Sequence, residues 1–248
     1  MILIDAGNTR IHYAYTKNNR IHTTASHPTA QVGLARIHRF LARWPNETML
    51  LCSVVPRVTK LFKKLRGKYG YAIIIVGNDI PIPIKSRYHK KEIGADRLIG
   101  ALGARAINEK TRLIIDCGSA VTFDILSKNG TYEGGFILPG IATSLRALSC
   151  CALLPKKITL TVSTRARTTI PHRTTDSIQR GITEGFAAMM NELIKKYSRT
   201  LKITAHTPVV ITGGDALVIM PHLDFRYHYD PHLVFRGLLI MADRIHTK

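Results

Sequence analysis

A chain of 248 residues, 45% hydrophobic and 21% charged, can bury a substantial core as one large domain or two small ones, and this composition excludes disordered and fibrous classes. The net charge of +20 invites a nucleic-acid or anionic-membrane partner. However, the pairs Lys63-Lys64, Lys90-Lys91, Lys156-Lys157 and Lys195-Lys196 are spread from end to end without aromatic interleaving, which argues for a generally basic surface and against a nucleic-acid partner.

The chain opens on Met1-Ile2-Leu3-Ile4-Asp5, which reads as a strand and not as a basic leader before an apolar run, so no secretory signal is expected. Strands are predicted at 1–5, 10–16, 48–54 and 71–77, the last too apolar and β-branched for a surface helix. Helical periodicity falls between them, at 32–44 through Leu34, Ile37, Leu41 and Ala42, and at 58–68 through Val58, Leu61 and Leu65. A basic loop then turns into an amphipathic helix at Gly94-Ala95-Asp96-Arg97. An Asp at a helix start has an ordinary structural use, because it stabilises the exposed N–H groups and the positive end of the dipole.

The second half repeats the plan. "LIIDCG", "AVTFDIL" and "TYEGGFIL" read as consecutive strands, followed by a helix near 140–149 and a long helix over about 176–199 with Ile178, Ile182, Phe186, Met189 and Leu193 in phase. That stripe serves either the core of the second half or a partner surface. Gly181 and Gly185 share one face of it and suggest a close packing partner. The run "PVVIT" at 208–212 ends in Thr212-Gly213-Gly214, where glycine permits close approach of a flat ligand. The histidines and aspartates of "PHLDFRYHYDPH", His222, Asp224, His228, Asp230 and His232, resemble a metal cluster only superficially. Pro231 breaks the helical face that His228 and His232 would share, and a solvated loop before a last helix is expected.

The halves also share a local string, since "IDAGNTRIHYAY" at 4–15 aligns with "IDCGSAVTFDIL" at 115–126. Each is an apolar run, Asp, a small residue, Gly, a small polar residue and a second strand. Such a tight turn aims backbone N–H groups and a hydroxyl at one point, with the Asp facing the same point, so it can hold a phosphate while the Asp holds its metal ion. One Asp-Gly turn means little, because both residues favour turns anyway. Two copies, each opening a half, mean duplication with purpose. Four cysteines without a CxxC pair or zinc spacing point to a reduced, cytoplasmic protein.

Two such hairpins and a Thr-Gly-Gly turn resemble the superfamily of acetate and sugar kinases, heat-shock chaperone ATPases and actin. Within it the chain resembles the type III pantothenate kinases, through "DAGNT" (5–9), "SVVP" (53–56), "GADR" (94–97), "DCGSAVTFD" (116–124), "YEGGFILPG" (132–140), "ALLP" (152–155), "TTDSIQRG" (174–181), "TGGDA" (212–216) and "LVFRGL" (233–238). The resemblance implies an α/β fold of duplicated actin-like (ribonuclease H-like) domains, here 1–110 and 111–248, each a mixed sheet opening with consecutive strands and flanked by helices. It implies phosphorylation of pantothenate by ATP with Mg2+ and a monovalent cation, K+ or NH4+, in a cytoplasmic homodimer.

Position by position, the resemblance implies that Asp96 is the general base, and that Gly94, Ala95, Asp96, Arg97, Tyr88 and Thr174 contact substrate, Thr174 from the neighbouring subunit. Asp5, Ala6, Gly7, Asn8, Thr9, Arg10, Ile11 and His12 form the first ATP loop, with Asp5 acting on magnesium. Ser119, Thr212, Gly213 and Gly214 lie at the nucleotide, and Asp116 takes the monovalent cation. Phe186, Met189 and Met190 offer an apolar subunit surface. His12 stands where many relatives carry Lys, "YHKKEIG" lacks the usual Pro, and Ser119 replaces a common Thr. A regulatory protein on the same fold, an accessory factor for transcription, is the competing expectation.

Overall fold

In the computed structural model, which describes residues 1–89, 92–162, 169–201, 204 and 206–246, the chain divides into two units, Met1–Glu109 with His232–Lys248, and Lys110–Pro231. The expected span 111–248 is therefore not one unit, because the last helix returns to the first.

In that first unit β1 (Ile2–Ala6), β2 (Arg10–Lys17) and β3 (Arg20–Pro28) form an antiparallel meander. Strands β4 (Met49–Ser53) and β5 (Ile73–Ile75) join in parallel, giving the order β3-β2-β1-β4-β5. Strand β3 is an addition to the sequence reading. Its polar "RIHTTASHP" carries no apolar alternation because it is an edge strand with mostly exposed or half-buried residues. The available signal was Asn18-Asn19, which turns the hairpin with both residues in the left-handed region (φ 49 and 57).

Successive strand residues face opposite sides of the sheet. On one side Ile2, Ile4 and Ile11 meet Ile37 and Leu41 of α1 (Leu34–Leu41) and Val58, Phe62 and Leu65 of α2 (Pro56–Tyr69). On the other, Leu3, Leu50 and Cys52 pack with Ile99 of α3 (Ala95–Ile107) and with Phe235, Leu238 and Met241 of α7 (Leu233–His246). These two helices cross at backbone contact. A methyl group on Gly103 would lie 2.4 Å from the Leu233 carbonyl oxygen, and one on Gly237 only 2.1 Å from that of Ile99.

The second unit repeats the sheet strand for strand. β6 (Leu113–Cys117), β7 (Ala120–Leu126) and β8 (Tyr132–Pro139) form the meander, and β9 (Val209–Thr212) and β10 (His228–Tyr229) add in parallel, in the order β10-β9-β6-β7-β8. Helices α4 (Ile141–Ser149), α5 (Thr174–Leu201) and the short α6 (Ala216–Ile219) complete it. Phe186 (9% exposed) and Met190 (0%) belong to this unit's core, with Met189 packed against it, so they are not the free subunit surface the sequence suggested. Gly181 and Gly185 are exposed, with open space over each, and the expected close packing within the chain does not occur. The His222–His232 stretch is more than a solvated loop: it contains β10, and Asp230 is buried.

The α3–α7 crossing is testable with two alanines. In a helix Gly→Ala gains about 0.5–1 kcal/mol of propensity, whereas overpacking costs about 1–3 kcal/mol. Gly237→Ala is expected to lower the unfolding free energy by that net amount in denaturant titration. Gly100→Ala, whose methyl would sit 3.9 Å from Leu233 Cδ2, should be neutral or stabilising. Equal stability of Gly237→Ala and wild type would show that the crossing is not tight.

Candidate active site

The first turn is built by β1 ending at Asp5-Ala6. The Gly7 N–H donates to the Arg10 carbonyl at 3.0 Å and closes the Gly7-Asn8-Thr9 turn. Buried Thr29 braces it from outside, donating its hydroxyl to the Gly7 carbonyl (2.7 Å) and its N–H to that of Thr9 (2.9 Å). Arg10 is held away on β3, where its guanidinium donates to Ser26 Oγ at 2.6 and 3.1 Å. Asp5 pairs in register with His12 on β2 and with Cys52 on β4.

Asp5 shares its sheet face with Leu3, the face that α3 covers, and Asp96 lies in the first turn of α3. Burial first, then the carboxylates of Asp5 and Asp96, push the Cys52 thiol well up, so it stays neutral. Both carboxylates therefore bear on one buried thiol. Asp96 keeps part of its ordinary structural use, since its Oδ1 accepts the Arg97 N–H at 2.8 Å. Gly94, the residue before the helix, leaves that carboxylate its room: a methyl there would lie 2.4 Å from Asp96 Oδ1. The Arg97 guanidinium stands 5.8 Å over the Tyr88 ring, so Ala95, Asp96, Arg97 and Tyr88 are brought together.

In the second unit, Asp116, the residue before the last of β6, pairs with Thr212 of β9. The Gly118 N–H donates to the Ala120 carbonyl at 3.0 Å to close the Gly118-Ser119 turn. Helix α4 starts on that turn, because the Ser119 carbonyl accepts the Gly140 N–H (3.1 Å) and the Thr143 hydroxyl (2.8 Å). Gly213, with φ 91, lies so close that a methyl group would meet the Cys117 carbonyl at 2.3 Å and Asp116 Oδ1 at 2.6 Å. The protein's own backbone requires this glycine, while Gly214 has open space. Burial, then Asp116 and Asp215, raise the Cys117 thiol as well. Thr174 is exposed at the start of α5.

Sequence reading missed Asp215, Gly140, Thr143 and Thr29 as parts of the site. Asp215 was visible in "TGGDA", but its importance comes from neighbours distant in sequence. Burial raises its carboxyl pKa, opposed by a hydrogen bond from the Ala142 N–H.

The chemistry of the donors suits hard cations. Mg2+ is held by one or two carboxylates plus substrate phosphates and requires no larger cage. A carboxylate at Asp5 fits that pattern, and among the described residues no group of three or more His, Cys, Asp or Glu is assembled.

Duplicated meander-plus-parallel sheets, each with an Asp-x-Gly turn after its first strand, are the architecture of the actin-like fold. The chain matches an inorganic polyphosphate/ATP-glucomannokinase from Arthrobacter sp. strain KM with a TM-score of 0.50 at 13% identity, over 99% of each chain. It also matches a structure described as a Baf family transcriptional activator from Campylobacter jejuni, with a TM-score of 0.67 at 22% identity, over 100% of both chains. At these identities the matches establish fold alone. The family model for type III pantothenate kinases matches residues 1–196. The type III pantothenate kinase of Sulfurihydrogenibium sp. (strain YO3AOP1) is 31% identical over 255 residues, 97% of this chain and 98% of that protein. The chain belongs to the type III pantothenate kinase family.

His12 separates this chain's first turn from a lysine-bearing one. Partial burial, then Arg10 and His232, lower its pKa from 6.5, so at neutral pH it is an uncharged ring. A His with a depressed folded pKa is protonated first in the unfolded chain; its contribution is complete above 6.5 and is lost as pH falls below it. The wild type is expected to lose more stability between about pH 7.5 and 5.5 than His12→Gln, by denaturant midpoints at each pH. His27, lowered likewise, remains in both chains. Equal losses would mean that His12 titrates normally.

Proposed function

We propose that this protein is an ATP-dependent pantothenate kinase that makes 4′-phosphopantothenate, the first step of coenzyme A synthesis. One observation supports the reading: Asp5 of the first turn and Asp96 of α3 both bear on the Cys52 thiol, so two carboxylates that can serve as metal ligand and base lie at one sheet face. Asp96 accepts the proton of the pantothenate hydroxyl as its oxygen bonds to the γ-phosphorus and the bond to the β,γ-bridging oxygen breaks, leaving ADP. Asp5, together with the phosphates, would hold magnesium, which would supply charge neutralisation. Phosphoryl transfer needs mainly this positioning and neutralisation.

Arg97 offers the planar fork that binds a carboxylate bidentately, and Tyr88, which it faces, lines the same substrate position. Asp116 takes the monovalent cation, K+ or NH4+, and Ser119, Thr212, Gly213 and Gly214 take the nucleotide along with Ala6 to His12. Within that first loop Asn8 and Thr9 supply N–H groups and a hydroxyl, while Gly7, whose own N–H closes the turn onto the Arg10 carbonyl, lets the nucleotide approach the backbone. The protein acts in the cytoplasm as a homodimer, Thr174 reaching the partner's substrate. In support, all four cysteines are free thiols, and among the described residues no helix is long and apolar enough to cross a membrane. A purely regulatory role, which the +20 charge and the description of the Campylobacter jejuni structure invite, has no use for Asp5, Asp96 and Asp116 together.

Asp96→Asn should keep its fold and ATP affinity while turnover falls about 10²- to 10⁴-fold. Mixed and re-equilibrated with Thr174→Val chains, it should regain activity above the average of the two samples, because heterodimers rebuild one intact site. Near-normal turnover would return Asp96 to its helix-start role. Absence of recovery despite subunit exchange would place Thr174 outside the shared site.

A further inference from the structure

We infer that Arg57 is a positioning residue for the first phosphate turn: acting through Thr29, it locks the Gly7-Asn8-Thr9 turn to the start of α2. The inference rests on the ATP reading above. Thr29 is the joint. Its hydroxyl and its N–H hold the turn at the Gly7 and Thr9 carbonyls, at 2.7 and 2.9 Å. Its own carbonyl is taken by Arg57, the second residue of α2, which donates Nη2 to it at 2.5 Å and Nη1 to the Val32 carbonyl at 2.8 Å.

The start of α2 is itself tied to the strand that leads into the turn. The Val54 N–H donates to the Ala6 carbonyl at 3.2 Å. Ser53 Oγ accepts the Val55 N–H at 3.3 Å and the Thr59 hydroxyl at 2.9 Å, which fastens the first turn of α2 to the end of β4. The bonds therefore close a ring. Ala6 leads into the Gly7 turn, Thr29 holds the turn, Arg57 holds Thr29, and the "SVVP" stretch before Arg57 returns through Val54 to Ala6. Thr29 and Val32 flank a 3-10 turn, Thr29–Gln31, and carbonyls at a helix end call for an outside donor. The planar fork of an arginine reaches both at once, whereas a lysine ammonium is a single point. Thr29 is buried but Arg57 lies at the surface, so the lock can be removed without opening the core.

The test measures binding of Mg2+ and AMPPNP, a non-hydrolysable ATP analogue, to the full chain, beside amide hydrogen exchange and steady-state kinetics. A lost hydrogen bond from a charged group corresponds to roughly ten- to hundredfold in an equilibrium. With part of that loss passed to the turn, Arg57→Ala is expected to weaken AMPPNP and raise KM for ATP about tenfold. It should leave KM for pantothenate unchanged and speed exchange of the Gly7 and Thr29 N–H groups. Arg57→Lys, which reaches one carbonyl, should recover part of each effect. Thr29→Val should match Arg57→Ala, and Thr29→Ser should recover most of the loss. Arg57→Ala and Thr29→Val combined should lose little more than either alone, since both act through one joint. Unchanged exchange at Gly7 in Arg57→Ala overturns the lock, as does a lower melting temperature with both KM values intact, or losses that multiply in the double variant. If Thr29→Val does not fold, the Arg57 variants decide on the same readings. If Arg57→Ala does not fold, Arg57→Lys decides alone: a raised KM for ATP with faster exchange at Gly7 supports the lock, and wild-type values overturn it. Failure of the wild type to bind AMPPNP would sink the ATP reading and leave exchange to judge the lock.

Discussion

The backbone contact of α3 with α7 is the constraint from which the first unit's organisation follows. Gly103 and Gly237 let the helices touch at the Leu233 and Ile99 carbonyls, a distance no side chain would allow. This draws the chain's last helix back onto the first sheet and makes the first unit discontinuous in sequence. It also fixes the axis of α3, whose first turn carries Asp96. A carboxylate on a rigid helix is positioned by the packing of that helix, so the proposed role of Asp96 as base depends on contacts far from the carboxylate itself. Gly94 completes the arrangement at the other end of α3, where its missing side chain is the space that the Asp96 carboxylate occupies.

Charge is arranged by the same economy of backbone. In the first unit two carboxylates crowd a neutral thiol at Cys52, and in the second Asp116 and Asp215 do so at Cys117. A thiol there is small and uncharged, so it does not offset the charge of either carboxylate. The turns themselves are held by hydrogen bonds from outside: Thr29 for the first, Gly140 and Thr143 for the second. Turns fixed in this way are the kind of preorganised backbone that the proposed phosphate binding calls for.

The sequence revealed what rests on local chemistry. Alternating apolar residues marked β1, β2, β6 and β7, and the paired Asp-Gly strings marked the duplication that the sheet orders confirm. What it hid depends on partners far along the chain. β3 is held by pairing to β2 and has no stripe of its own. The apolar stripe of α5 would read the same whether it faced a core or another subunit, and only the structure assigns Phe186 and Met190 to the core. The glycine of "LVFRGL" was quoted as part of a motif, yet its purpose is Ile99, on a helix of the other half.

The central claim, transfer of the ATP γ-phosphoryl group to the pantothenate hydroxyl, is tested most directly by following the phosphorus. The full chain is incubated with ATP, Mg2+, K+ and pantothenate, and phosphorus NMR with mass spectrometry reads the products. The account requires ADP and 4′-phosphopantothenate to appear in equal amounts, with no free phosphate. ATP hydrolysis without a pantothenate ester, or no turnover across a range of monovalent cations and pH, would contradict it.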